Sequence, residues 1–199
     1  MAYQSLLEAF TRDVSPGVWA QLQEEMGHVL FDQALRSSYE EAEPLLEDVA
    51  EAWQHAIEVH TQELQPQFWS TTQNNLGNVY TILGQYDEAV ARFKDCLLPR
   101  LDYQEGQIAL KAVQIASLLV VGQTQTLVTA LEALIDQLSG QSGEIHMEWP
   151  LRGAEVFISQ NQSLAPHQQW LAQFFVAVQA ENRDAIVSGL QEAKADLEE

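Results

Sequence analysis

The sequence predicts an all-α chain in which antiparallel helical hairpins stack into a solenoid, and three observations carry that prediction. The pattern P-x-x-W-x6-[ML]-G-x-V occurs twice: Pro16, Trp19, Met26, Gly27 and Val29 return as Pro66, Trp69, Leu76, Gly77 and Val79, each 50 residues on. Apolar residues recur at helical spacing along most of the chain, and no segment alternates with period 2. Single glycines, Gly84 and Gly122, interrupt the periodic stretches where a tight turn between helices is needed. A short amphipathic helix has one apolar face and cannot bury it alone, so such hairpins require neighbours of the same kind.

Taken in order, residues 2–12 carry Leu6, Leu7 and Phe10, a short helix placed to cap the array. Ser15-Pro16 suits a helix start, with serine accepting from a free N–H and proline at the first helical position. Trp19, Leu22, Met26, Val29 and Leu30 then line one face, and a bend is expected between Asp32 and Ser38. Pro44 is read as the next start, opening a long helix with Leu45, Leu46, Val49, Trp53, Ala56 and Ile57, which Gln65-Pro66 ends. Leu76, Gly77 and Tyr80 form the next stripe, Gly84 the turn, and Tyr86, Ala89, Val90, Phe93 and Cys96 the helix after it, closed by Pro99. Residues 104–121 read as a further first helix with Ile108, Ala112, Ile115 and Leu119, and Gly122 as its turn. Leu127, Leu131, Leu134 and Leu138 make a stripe at i, i+4, i+7 and i+11. Ser139 to Glu144 reads as a loop, Met147 to Ile158 as a helix, and Ala165-Pro166 as a restart before Trp170, Leu171, Phe174, Phe175 and Val178. A final helix holds Ala185, Ile186, Leu190, Ala193 and Leu197, for eight to ten helices in all.

The order Leu76-Gly77, Tyr80, Gly84, Ala89, Phe93, Cys96, Pro99 resembles a tetratricopeptide repeat (TPR). Gln73 stands where that family often has tryptophan, Cys96 replaces a small alanine, and Pro99 falls slightly off register. The long period, with Trp19 and Trp69 leading each copy, resembles bacterial TPR arrays found beside caspase-like CHAT domains, although no CHAT domain fits within this chain. The resemblance implies a TPR-like right-handed superhelix over residues 1–199 as one domain. Its clearest repeats are 14–63 and 64–99, with degenerate hairpins at 104–139 and 144–199.

Composition narrows the function classes. Nine Lys and Arg against 29 Asp and Glu give a net charge of −20, so nucleic acid and anionic membrane are poor partners and a basic protein surface is a better one. One cysteine cannot form an internal disulfide, the first residues show no signal-peptide pattern, and no apolar run approaches the ~20 residues a membrane span needs. A cytoplasmic protein is expected. Five histidines form no metal-binding motif; His55 and His60, five apart, do not share a helix face. Glycines form no phosphate loop. Adjacent acids such as Glu24-Glu25 and Glu40-Glu41 face apart on a helix and read as solvated charge. The reading is therefore non-enzymatic, with no cofactor and no metal, and oligomeric state stays open.

The resemblance also implies a concave groove lined by the first helix of each hairpin. Its groove-facing places are Thr71, Asn74, Asn75, Asn78 and Thr81, and in the earlier copy Gln21, Glu24, Glu25, His28 and Asp32. Asparagine both donates and accepts, which suits an extended peptide backbone. TPR modules that clamp a C-terminal carboxylate use groove lysines and arginines; Gln21 and Glu24 stand here instead, so that ligand is not carried over. The function implied is an interaction module or adaptor holding a protein or peptide segment with basic or neutral character. The alternative is an assembly factor or chaperone that holds a subunit transiently, as TPR proteins that help build photosynthetic complexes do.

Overall fold

The computed structural model describes residues 2–95, 108–122, 124–140 and 153–198. Among them there is no strand. The helices are α1 (Ala2–Ala9), α2 (Pro16–Ala34), α3 (Tyr39–Val59), α4 (Pro66–Ile82), α5 (Tyr86–Asp95), α6 (Ile108–Val120), α7 (Thr124–Ser139), α8 (Ala154–Gln160), α9 (Gln168–Gln179) and α10 (Arg183–Glu198). A 3-10 segment, Gln162–His167, joins α8 to α9 and contains Pro166. Cys96, Pro99, residues 104–107, the loop at 141–144 and residues 147–152 lie outside the described residues.

One helix cap and two boundaries differ from the sequence expectation. Pro16 begins α2, but Ser15, at φ −148° and ψ 70°, makes no side-chain cap. Its backbone departs from the extended geometry that aims a serine oxygen at the first-turn N–H groups. The helix expected from Pro44 begins earlier, at Tyr39, because Ser38 and Glu41 form a reciprocal capping box. Pro44 sits inside α3; its missing N–H deprives only the Glu40 carbonyl, in an exposed first turn open to water. Pro66 starts α4 rather than ending α3, which stops at Val59.

Neighbouring helices pair in sequence, α2 with α3, α4 with α5 and α9 with α10, while α3 and α4 join the first two hairpins. One core gathers Ala34, Leu46, Val49, Trp53, Leu76, Val79, Tyr80, Ala89 and Phe93 from α2 to α5. A second joins Tyr86 to side chains of α6 through α10, including all four leucines of the α7 stripe, each 0% exposed. Burying a side chain of this size contributes about 1.5–3 kcal/mol. Here the stacking departs from a plain hairpin series: α7 packs more on α10 than on α6, and α6 also meets α9.

The repeated glycines mark where hairpins close. A Cβ on Gly77 would stand 2.5 Å from Phe93 Cε1, and one on Gly27 would stand 2.5 Å from Trp53 Cδ1. The α9–α10 hairpin has a looser approach with the order reversed, a Cβ on Gly189 standing 3.2 Å from Phe174 Cδ2. The turn glycines Gly84 and Gly122 have φ of 72° and 73°, the left-handed conformation glycine adopts without steric cost.

Candidate protein-binding groove

The 50-residue offset fixes rotation as well as spacing. Gln21, Glu24, Glu25 and His28 occupy the same places on α2 that Thr71, Asn74, Asn75 and Asn78 occupy on α4. The loops before each helix repeat too: Ser15 and Gln65 share backbone angles, −148° and 70° against −143° and 69°. Their N–H groups donate to the carbonyls of Thr11 and Thr61.

Gln21, Glu25, His28 and Asp32 are exposed on one stripe of α2, and Thr71 is exposed with Asn75 and Asn78 half-buried on the matching stripe of α4. The other expected places turn inward. Glu24 is half-buried beside the hairpin seam, where Trp53 Nε1 donates to its carbonyl at 3.3 Å. Burial raises its carboxyl above the usual range, and His28, whose Nε2 is 3.7 Å from Glu24 Oε1, only partly offsets this. His28 also rests edge-on against Trp53. Asn74 Oδ1 accepts from Gln114 Nε2 at 3.1 Å, tying α4 to α6. Thr81 is 2% exposed and donates its hydroxyl to the Gly77 carbonyl, so it presents no surface. Its equivalent one period earlier is Phe31, which packs on Trp53; it does not correspond to Asp32.

Sequence reasoning missed two polar features. Gln73, in the place of the family's tryptophan, is buried and accepts from Arg92 Nη1 at 3.3 Å, while the Arg92 guanidinium lies 5.7 Å from the Tyr80 ring centre. Its equivalent Gln23 is also buried, but its Oε1 has no donor. The aromatic pair Trp53 and Phe93 aligns Ala52 with Arg92, so α3 lacks the arginine. The second feature is Gln114, 0% exposed; its Oε1 and Asn78 Oδ1 are buried acceptors without a protein donor.

Glycine at the hairpin crossing, a left-handed turn glycine and an aromatic filling the space over the first glycine now stand together in α4 and α5. Residues 69–98 match the family model described as Tetratricopeptide repeat. Residues 69–98 are thus similar to a tetratricopeptide repeat. Neither the curated proteins nor the solved structures compared contain a match. TPRs mediate contacts between proteins, and the polar stripe of this repeat is Thr71, Asn75 and Asn78. Among the described residues no group of His, Cys, Asp or Glu is arranged to hold a metal ion, and no helix is long and apolar enough to cross a membrane.

Proposed function

We propose that this protein is a non-catalytic interaction module that holds a protein or peptide segment along the first helices of its first two repeats. The observation that carries the reading is the matched rotation of two polar stripes, Gln21, Glu25, His28 and Asp32 on α2, and Thr71, Asn75 and Asn78 on α4. Stacked repeats that keep one rotation turn such stripes toward the same face of the array. Glu25 and Asp32 favour a segment with Lys or Arg, and the asparagines favour backbone amides. The charge of −20 supports a basic or neutral segment over an acidic one. The single cysteine supports a cytoplasmic setting.

The experiment is affinity capture from the native cell with mass spectrometry, comparing the wild-type chain with a Glu25→Ala, Thr71→Ala, Asn75→Ala variant. These side chains are at least partly exposed, so the fold survives their loss. A partner held by the wild type and lost by the variant supports the groove. Equal retention by both chains overturns it.

A further inference from the structure

Eight large apolar side chains are exposed among the described residues, and five fall between residues 6 and 29: Leu6, Phe10, Val14, Val18 and Val29. Val18, Leu22 and Val29 lie at i, i+4 and i+11 on α2, one stripe turned away from the Gly27–Trp53 crossing.

The internal repeat shows how the fold treats this face elsewhere. The equivalent residues on α4 are Phe68, Thr72 and Val79; Thr72 is 3% and Val79 0% exposed, whereas Val29 is 50% and Val18 44% exposed. Helix α4 packs against both α3 and α5, the second helices of two successive hairpins. Among the described helices, α2 packs chiefly on α3 on one side and on the eight-residue α1 on the other, and Leu6 of α1 and Phe10 just beyond it stay exposed. Among the described residues, no helix covers this face as α4's equivalent face is covered.

Its border is acidic. Glu25 and Asp32 are exposed one row further round α2; of the cations near its ends, Arg12 is engaged by Glu58 at 2.6 Å and Arg36 is exposed just past the C-terminal end of the helix. A second copy placed face to face would oppose these carboxylates and two net charges of −20.

We propose that this face of α2 receives an amphipathic helix from a partner protein, apolar toward Val18, Leu22 and Val29 and bearing Lys or Arg opposite Glu25 and Asp32. The helix stacks as α3 stacks on α4. The surface adjoins the groove stripe and shares Glu25 and Asp32 with it, but its apolar residues Val18, Leu22 and Val29 lie outside that stripe, so the aspartate variant tests it whether or not the groove reading holds.

The test uses the full chain and a synthetic helical peptide with leucines at i, i+4, i+7 and i+11 flanked by lysines. Two controls are a scrambled peptide of the same composition and a version with glutamate for lysine. Fluorescence anisotropy should show the patterned peptide binding about tenfold tighter than either control. Val18→Asp with Val29→Asp should weaken it about tenfold or more, as loss of interface anchors does. Both side chains are exposed, so thermal unfolding should be unchanged, which separates lost binding from lost fold. Glu25→Lys with Asp32→Lys should transfer the preference to the glutamate peptide. The proposal is overturned if the scrambled peptide binds equally, or if the aspartate variant binds unchanged. It is also overturned if sedimentation shows the wild type self-associating through this face and the aspartate variant monomeric.

Discussion

Gly77 leaves the space that the ring of Phe93 fills, with no room between them for a methyl group. Phe93 is 1% exposed and packed on all sides, so it has little freedom to yield. Gly77→Leu should cost about 1–3 kcal/mol by overpacking. Gly27→Leu, facing Trp53, should behave alike. Gly17, with nothing within 4 Å of an added Cβ, is the control, and Gly17→Ala should be neutral or slightly stabilising. Urea unfolding of the three variants measures this; equal stability of Gly77→Leu and wild type would refute the crossing.

Glu181 stands where Gly84 stands. Gly84 N–H bonds to Thr81 and Gln85 N–H to the Tyr80 carbonyl; Glu181 N–H bonds to Val178 and Asn182 N–H to the Ala177 carbonyl. Glu181 adopts φ 53°, where a side chain is strained. Glu181→Gly should therefore stabilise the protein and Gly84→Ala should destabilise it, each by about 1 kcal/mol. Differential scanning calorimetry on the pair reads both signs; shifts of the same sign would show that the two turns are not alike.

Gln23 and Gln73 predict opposite responses to one substitution. Gln23→Met removes a buried acceptor that has no donor, and should stabilise by about 1 kcal/mol. Gln73→Met removes the acceptor that Arg92 uses, and should destabilise by a similar amount. Chemical denaturation of both variants decides, and destabilisation by Gln23→Met would show that its oxygen is satisfied in solution.

The first helices were legible because their packing residues are distinctive: tryptophan after proline, and glycine where helices touch. The second helices were legible as helices, but not as counterparts of each other, because the repeat is unequal. Trp53 follows Gly27 by 26 residues, and Phe93 follows Gly77 by 16. Hence a constant offset aligns α2 with α4 but not α3 with α5. Ser38 and Glu41 held a readable capping box, and Pro44 drew attention from it. The leucine stripe of α7 announces a buried face, but a stripe does not say which helix covers it, and α10 does so. At the groove, matching Asp32 with Thr81 missed by one residue, which on a helix is a rotation of about 100° into the hairpin.

Glu24 makes stability depend on pH. Burial raises its carboxyl above the ordinary 4.5, so over the interval up to its folded value the native protein keeps a proton the unfolded chain has released. Stability falls as pH rises through that interval, and the deficit persists above it. Glu24→Gln removes the deficit. The variant should be more stable than wild type at about pH 7, with the advantage disappearing below about pH 4. Denaturation at several pH values tests this; an advantage independent of pH would assign it to packing instead of charge.

The groove prediction concerns salt and rates. Glu25 and Asp32 are exposed, whereas Glu24 is held against His28 and Trp53, so the first two carry the steering charge. Exposed charges act over about 8 Å at physiological ionic strength, and steering changes association more than dissociation. Once affinity capture has supplied a partner, its binding should weaken steadily from about 0.05 to 0.5 M salt. Glu25→Gln with Asp32→Asn should slow association several-fold and flatten the salt dependence, leaving dissociation nearly unchanged. Stopped-flow measurements separate the two rates. If affinity is flat with salt, or the double variant acts through dissociation, the carboxylates do not steer the partner, and the acidity of this chain serves solubility alone.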